Sequence, residues 1–370
     1  MIEIINEVNK VRQYHKILKD ILGKGEVQYE PRTQEYILGI SGSQSTYNVN
    51  KTFPLMTTKF VPPRLPFEEV FWKLRGERNV KSLVDRNVNF WTANAFDRYL
   101  KNQGLREKIP KHSLEWNEEF ENYTQRIKED PEFAEWAGDL GPVYGFQWRH
   151  WDDSEGKEID QLEKMLKGIK ERPGSRYHTL SAWNVGDLSK MALGPCPFWH
   201  QFNIWGKNMD LHMVQRSNDI YLGVPFNVAQ DALLLRMIAK ETGFTPRNLI
   251  HTTINTHAYL GVQPRSDFWM DEKNVKEFQN KFNRIKSRED YLELKEWYLS
   301  SAPEESFGNE KKDHIPFILE QLSKEPKTLP ILSFKEEVPL MEAIEMNPLD
   351  LVNIHNYKPE KWDSKAEMAA

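Results

Sequence analysis

Residues 198–217 read FWHQFNIWGKNMDLHMVQRS. Two apolar-rich runs, 198–205 and 209–217, flank Gly206-Lys207-Asn208, and this pattern predicts a β-hairpin. Further on, after Pro225, the segment from Val228 to Thr242 has a broad apolar face and stops at Gly243. Such a segment is typical of a buried helix that ends at a glycine. The sequence therefore predicts a hairpin followed by a buried helix in the middle of the fold.

The rest of the chain also mixes the two kinds of secondary structure. The further predicted elements are a helix over 2–22 that ends at Gly23, strands over 36–60 with turns at 41–50, a helix over 66–86 and a strand over 177–184. Because helices and strands do not alternate strictly, the α+β class is expected, with mixed β-sheets packed against helices.

Two charged segments interrupt this pattern, near 101–137 and near 264–325. Neither has a continuous apolar face, and their composition is typical of helical excursions from a core. We therefore expect one domain over residues 1–370 with two surface insertions.

Composition narrows the class of protein. The formal net charge of −5 provides no overall basic field for a nucleic acid. No segment approaches the roughly 20 apolar residues that span a membrane, and acidic residues interrupt the N-terminus too early for a signal peptide. The only cysteine, Cys196, cannot form an intrachain disulfide, which favours a reducing compartment. The expected location is the cytoplasm, or the host cytoplasm if the gene is viral.

Cys196 lies between Pro195 and Pro197. A lone cysteine is more often a small buried hydrophobic residue than a nucleophile. Here the two prolines restrict the backbone and can present the thiol in a fixed direction. A thiolate also needs a nearby cation, and Arg216, on the partner strand of the predicted hairpin, is a candidate.

Two further segments are rich in residues that suit a nucleotide site. In residues 215–227, Arg216 and Ser217 suit a phosphate, and Asp219 can accept hydrogen bonds from an amino-heterocycle. Asn227 offers both a donor and an acceptor, as the O4/N3 edge of uracil requires. The glycine-rich segment 138–151 predicts a tight loop around Tyr144.

Together these segments resemble the thymidylate synthase family. The resemblance extends over nearly the whole chain apart from the two charged segments, and it includes residues 53–59, Glu69, Trp72, Gly76, residues 175–176 and 181–184, residues 257–259 and the tail 367–370. It implies a homodimer that associates sheet to sheet, and it implies dUMP and 5,10-methylenetetrahydrofolate as substrates, with no metal.

The resemblance implies specific roles for several residues. Cys196 would add to C6 of dUMP, in covalent catalysis that divides one difficult step into two. Glu69 would relay protons through water, and Tyr144 would assist proton removal from C5. The implied catalytic set is Cys196, Glu69, Tyr144, Arg216 and Asn184.

Binding roles follow from the same resemblance. The implied dUMP ligands are Arg32, Arg176, Arg216, Ser217, Asn227, His257 and Tyr259, with Arg176 donated by the second subunit. The implied folate ligands are Lys59, Trp91, Asp219, Gly223, Phe226 and Ala370, the last at the end of a tail that closes over the ligands.

The chain departs from the family pattern at several positions. They are residues 32–36, which lack the usual glycines, Thr92 in place of an aspartate, Tyr177 in place of an arginine, Pro197 in place of a histidine, and Leu260-Gly261 in place of an Asn-His pair.

Two alternatives therefore stay open. One is a dUMP hydroxymethylase, in which water rather than hydride attacks the shared C5-methylene intermediate. The other is a nucleotide- or RNA-binding protein that has lost catalysis. Trp91 and the tail 367–370 favour the hydride route, and the intact Cys196, Glu69 and Tyr144 favour an enzyme.

Overall fold

The computed structural model describes residues 11–111, 113–360 and 366. Its centre is a six-stranded sheet with the strand order β1-β2-β8-β7-β6-β5. The strands are β1 Glu26–Glu30, β2 Glu35–Asn48, β5 Thr179–Ser181, β6 Pro197–Trp205, β7 Asn208–Asp219 and β8 Thr245–Tyr259. Strands β7 and β8 are parallel and the other neighbours are antiparallel. Two small two-stranded sheets complete the strands: β3 Trp151–Asp152 with β4 Glu158–Ile159, and β9 Ile331–Phe334 with β10 Val352–His355. The predicted α+β class is confirmed.

The predicted hairpin is present. Trp205 pairs with Asn208, so Gly206 and Lys207 form the turn, and Gly206 adopts a positive φ of 61°. A positive φ is readily accessible to glycine, which explains this residue at the turn. Strand β7 runs two residues beyond the predicted end, to Asp219.

The predicted buried helix links β7 to β8. It spans Gly223–Thr242 (α9 in chain order) and begins earlier than predicted, with Pro225 in its first turn. A proline is tolerated there because the first-turn N–H groups have no partner within the helix. Gly243 closes the helix in the left-handed conformation, with φ of 80°.

The remaining helices surround the sheet. They are α1 Arg12–Lys24, α2 Arg64–Leu74, α3 Lys81–Asp85, α4 Thr92–Asn102, α5 Leu114–Glu129, α6 Pro131–Ala137, α7 Gly145–Arg149, α8 Gln161–Glu171, α10 Asp267–Met270, α11 Glu272–Phe282, α12 Glu289–Ser301, α13 Ile315–Leu322, α14 Leu340–Ala343 and α15 Pro348–Leu351. The predicted first helix corresponds to α1 from Arg12 onward. Val11, inside the predicted range, precedes the first helical residue, and the helix continues to Lys24, past the predicted end. Ile2, Ile5 and Val8, which contributed to its pattern, lie outside the described residues.

Several sequence predictions are wrong in detail. The strands expected over 36–60 end at Asn48, and the strand expected over 177–184 is reduced to Thr179–Ser181. The helix expected over 66–86 is divided into α2 and α3, because the chain turns at Gly76 with φ of 75°. The turns expected at 41–50 are absent, since β2 continues to Asn48. This polar strand is held by its pairing with β8 and by side-chain hydrogen bonds, among them Ser43 Oγ to Thr253 Oγ1 at 2.6 Å. Cross-strand pairs of this kind stabilise a strand that lacks apolar alternation.

Both charged segments are helical and contribute buried aromatic side chains. Trp116, Tyr123 and Phe133, from the first segment, belong to a second hydrophobic cluster beside the main core. Phe268 and Tyr298, from the second segment, belong to the main core. Their assignment as insertions into one domain stays a prediction. In the described part of the chain, no helix has the length and apolar character to cross a membrane.

Burial of histidines makes the stability of the fold depend on pH. Burial lowers the pKa values of His15, His251 and His257 to about 4. The unfolded chain, with histidine pKa values near 6.5, binds more protons between about pH 4 and pH 6.5. The stabilisation is therefore complete above that window and is lost as the pH falls through it.

We predict that His251→Gln weakens this dependence. Urea unfolding at pH 7.5 and pH 5.0 should show a loss of stability that is smaller in the variant by about 2 kcal/mol, because one buried histidine no longer titrates. His355→Gln, at an exposed position, is the control. An unchanged difference in the His251 variant would contradict the prediction.

Candidate active site

A cavity of about 840 Å³ opens where β7 and β8 end, beside α2 and the start of α9. Most of the residues that the sequence suggested line it: Arg32, Lys59, Glu69, Trp91, Tyr144, Cys196, Ser217, Asp219, Gly223, Phe226, Asn227, His257 and Tyr259. A volume of this size is typical of small-molecule sites. The fold therefore brings together residues separated by more than 200 positions in the chain.

Cys196 lies directly before β6 and is partly exposed. Its backbone N–H donates to the Tyr144 hydroxyl at 2.7 Å, and its carbonyl accepts from the Arg216 N–H at 2.9 Å. Tyr144 adopts φ of 35° and ψ of −103°, a rare conformation for a residue other than glycine. Burial, and then the neighbouring Cys196, raise the pKa of Tyr144 well above its ordinary value. The backbone at Cys196 is thus held by hydrogen bonds on two sides. The Tyr144 hydroxyl is neutral.

Arg216 lies on the opposite face of β7 from Gln215 and Ser217, and it is not among the residues that line the cavity. Its side chain donates to the carbonyls of Pro195 at 3.0 Å and Gly194 at 2.6 Å. The guanidinium therefore supports the loop that carries Cys196. Its roles toward the thiolate and toward a phosphate stay predictions.

Asn227 is held in one orientation. Its Oδ1 accepts from Gln215 Nε2 at 3.0 Å, and Gln215 Oε1 in turn accepts from His251 Nε2 at 3.0 Å. Because His251 and Gln215 are buried, this series of hydrogen bonds determines that the oxygen of the Asn227 amide, and not its nitrogen, is used within the protein. The Nδ2 group is left as a donor for a ligand.

Glu69 is enclosed by three donors. Trp91 Nε1 donates to Oε1 at 3.1 Å, and Lys73 Nζ lies 2.9 Å from the same oxygen. Gln230 Nε2 donates to Oε2. The neighbouring Glu68 faces Arg86, at 3.5 Å, and does not line the cavity. Of these two neighbouring glutamates, Glu69 is therefore the one whose carboxylate faces the cavity.

Asp219 connects the cavity to the second charged segment. Its Oδ1 accepts from the N–H groups of Tyr221 and Leu222, and it lies 3.6 Å from His314 Nδ1. Burial raises the pKa of Asp219, but His314 and the Leu222 N–H outweigh it, so that the net shift is downward. Asp219 is therefore an ionised acceptor.

His314 reaches this position because the chain returns to the sheet. Leu260 bridges to Asp313, and the His314 N–H donates to the Tyr259 carbonyl at 3.0 Å. The His314 ring packs against Tyr259 and Tyr221. The pair Asp313-His314 thus lies beside Tyr259 in space. In the family pattern, an Asn-His pair directly follows this tyrosine in the sequence.

Lys59 is buried in the cavity wall. Its Nζ donates to the Tyr221 carbonyl at 2.7 Å and lies over the Tyr221 ring at 3.6 Å from the centroid. Burial lowers the pKa of Lys59 to about 7, against an opposing effect of Asp219. His257, which also lines the cavity, is neutral at pH 7, because burial lowers its pKa to about 4.

Besides Arg216, three predicted residues do not line the cavity or lie outside the described residues. Asn184 does not line the cavity, and its Nδ2 donates to Gln147 and Asp187 at 3.1 Å each. Arg176 is exposed and does not line the cavity. Ala370 lies outside the described residues. The roles of all predicted site residues stay predictions.

Sequence reasoning missed Lys73, Gln230, Gln215 and His314 as members of the site. For Lys73 a signal existed, since a residue four positions after Glu69 shares its helix face. Gln215 was part of a quoted segment, but nothing in the pattern indicated its bond to Asn227. His314 had no sequence signal, because its neighbours are brought to it by the return of the chain. Among residues 11–111, 113–360 and 366, no cluster of three His, Cys, Asp or Glu side chains could hold a metal ion.

A partly exposed thiol beside a carboxylate, a tyrosine and an oriented amide defines an enzyme site for nucleophilic chemistry on a small polar substrate. The thymidylate synthase family model matches residues 12–370. A thymidylate synthase from Listeria monocytogenes serotype 4a is 39% identical over 260 residues, which cover 67% of this chain and 82% of the relative. One from Mesoplasma florum is 36% identical over 278 residues, covering 75% of this chain and 91% of the relative. The chain belongs to the thymidylate synthase family, as its sequence motifs predicted.

Gly145, next to Tyr144, is packed against the backbone of α2. A Cβ atom there would overlap the carbonyl oxygen of Lys73. We predict that Gly145→Ala lowers the free energy of unfolding by about 2 kcal/mol, because the helices must separate. Gly174→Ala, where a Cβ would meet no atom within 4 Å, is the control. Equal unfolding midpoints for the two variants would refute this packing.

Proposed function

We propose that the chain transfers one carbon from 5,10-methylenetetrahydrofolate to C5 of dUMP, giving dTMP and dihydrofolate. The observation that carries the proposal is that Cys196, Glu69, Tyr144 and Asn227 line a single cavity. One-carbon transfer is the activity of the thymidylate synthase family, and the relatives bear that name. These names do not favour the hydroxymethylase alternative.

The nucleophile is the Cys196 thiolate, which adds to C6 of the pyrimidine and makes C5 a nucleophile toward the methylene carbon. Electron density moves to O4 during this addition. Glu69 faces the same cavity and relays protons through water at O4 and at the folate. The Tyr144 hydroxyl, bonded to the Cys196 N–H, lies beside the thiol and assists removal of the C5 proton. Loss of this proton breaks the bond between the methylene carbon and the folate nitrogen and leaves an exocyclic methylene at C5. Hydride from the released tetrahydrofolate then reduces the methylene to a methyl group as the thiolate leaves C6, giving dTMP and dihydrofolate.

Recognition of dUMP rests on groups at the two ends of the nucleotide. The Asn227 Nδ2 donor suits the O4 acceptor of uracil, whereas cytosine presents an amino group at that position. The phosphate is held by Arg32 and Ser217, with Arg216 and the partner's Arg176 as further cations. His257 and Tyr259, neutral and close together, bind the ribose 3′-hydroxyl.

The folate lies over the nucleotide. Asp219 is ionised and accepts hydrogen bonds from the amino-heterocycle, while Trp91, Gly223 and Phe226 form the wall around it. Lys59 lies near the glutamate end, and the tail that ends at Ala370 closes the cavity. Exclusion of water protects the methylene intermediate and favours the hydride route.

The second subunit packs on the sheet face that the described helices leave open. On this face Trp199, Val214 and Thr252 are neighbours across three strands, and Ile254 is 51% exposed. A partly exposed sheet face of mixed polarity suits an isologous contact in a two-fold dimer. Arg176, exposed beside the sheet, is then free to enter the partner's cavity. Location in the cytoplasm stays a prediction.

The function is tested by incubation with dUMP and 5,10-methylenetetrahydrofolate, followed by product mass and the absorbance of dihydrofolate. We expect dTMP and dihydrofolate in equal amounts, and no product from Cys196→Ser, which should still bind dUMP. A hydroxymethyl product with tetrahydrofolate would overturn the assignment, as would turnover by the serine variant.

The shared site is tested by mixing two inactive variants. Arg176→Ala and Cys196→Ser subunits, refolded together, should recover about one quarter of the wild-type activity, because half of the dimers contain one intact site. Each variant refolded alone is the control. A mixture that remains inactive would show that Arg176 does not act across the interface.

A further inference from the structure

Lys73 lies one helical turn after Glu69 on α2 and lines the same cavity. Its side chain is 5% exposed, and its ammonium group lies 2.9 Å from Glu69 Oε1. A buried lysine is unfavourable unless a counter-charge compensates for the loss of water. The carboxylate of Glu69 is that counter-charge, so the two residues form a buried ion pair within the site.

Gln230, on α9, joins both partners. Its Oε1 accepts from Lys73 Nζ at 2.9 Å, and its Nε2 donates to Glu69 Oε2. The amide can satisfy both contacts in only one orientation, with oxygen toward the ammonium and nitrogen toward the carboxylate. The triangle of Lys73, Gln230 and Glu69 is therefore complete only while Lys73 donates and Glu69 accepts.

All three neighbours of the Glu69 carboxylate are donors. Lys73 and Trp91 occupy Oε1, and Gln230 occupies one position on Oε2. An ionised carboxylate has about four acceptor positions, so one remains, on Oε2. A protonated Glu69 would have to give up one of these contacts, because its hydroxyl would face a donor.

We propose that Lys73 is a positioning residue for Glu69: its ammonium group holds the carboxylate in one orientation and, with Gln230 and Trp91, leaves a single acceptor position for the relay water. This inference rests on the proposed function, in which Glu69 relays protons through that water. The ion pair also places a positive charge beside the pyrimidine, where negative charge develops on O4 when Cys196 adds.

The other titratable groups that face this pair belong to different elements. The ring centroid of Tyr144 lies 4.9 Å from Lys73 Nζ, and Cys196, on the loop before β6, lines the same cavity. Arg216, on β7, is directed to the carbonyls of residues 194 and 195. Among the described contacts of Glu69, Lys73 is the cation, so its removal leaves the carboxylate without a direct counter-charge.

The test compares the pH dependence of kcat/KM for dUMP in Lys73→Met and Lys73→Arg. In Lys73→Met the acidic limb should move to higher pH by about one pH unit or more, because a buried carboxylate without a counter-charge ionises less readily. Activity at pH 6 should fall at least tenfold and recover in part at pH 9. Lys73→Arg retains the charge and should retain the wild-type limb. A loss that is equal at every pH would indicate a merely structural role and overturn the proposal.

Lys276→Met is the matched control. Lys276 forms the same type of pair with Glu272, four positions away at 3.1 Å, but both side chains are exposed. The pH profile of Lys276→Met should equal that of the wild type.

If Lys73→Met does not fold, Gln230→Leu provides a second test, since it keeps the ion pair and removes one donor. Its acidic limb should move in the same direction by a smaller amount, and an unmoved limb would contradict the triangle.

A measurement without turnover separates this inference from the proposed function. Carboxyl ¹³C NMR of glutamate-labelled protein, with the Glu69 signal assigned by its loss in Glu69→Gln, follows the ionisation of Glu69 directly. The midpoint should move to higher pH in Lys73→Met and not in Lys73→Arg. This result can be obtained even if dUMP is not turned over, and an unchanged midpoint in Lys73→Met would overturn the role of Lys73 whatever the substrate is.

Discussion

The register between β6 and β7 is the constraint on which the site depends. The Arg216 N–H donates to the Cys196 carbonyl, and Pro197 pairs with Gln215. Side chains alternate along a strand, so this register directs Gln215, Ser217 and Asp219 toward the cavity and Arg216 away from it. A shift by one residue would exchange the two sets and remove the Asn227 support and the Asp219 acceptor together. The hairpin therefore decides both the fold and the chemistry.

Buried polar groups around the cavity are paired, and their partners come from distant segments. Asp219 on β7 is held by His314, which lies in the second charged segment, and Glu69 is held by Lys73 and by Gln230 on α9. Pairing of this kind is required because an isolated buried charge is costly. Each of these two carboxylates is thus fixed in orientation by its own set of partners.

The sequence predicted those parts of the molecule that are governed by local chemistry. The hairpin follows from two apolar-rich runs around Gly206, and the helix before Gly243 follows from its apolar face and its glycine end. The length of β2 was not predictable, because Ser43 and Ser45 are strand residues only in the context of their β8 neighbours. Family resemblance supplied the residues around the cavity. Lys73 was missed although its pair with Glu69 is local, one helical turn apart, because it belongs to no quoted motif. His314 was missed because the contacts that place it beside Asp219 are tertiary.

One cavity is lined by the Cys196 thiol, the Asn227 amide and the proposed phosphate ligands Arg32 and Ser217, so that a single nucleotide can meet them all. A crystal structure of the protein with dUMP tests it most directly. We expect C6 of the uracil within about 3.5 Å of Cys196 Sγ, or bonded to it, with Asn227 on the O4/N3 edge and Arg32 and Ser217 on the phosphate. A nucleotide bound elsewhere, or bound with C6 far from the sulfur, would contradict it.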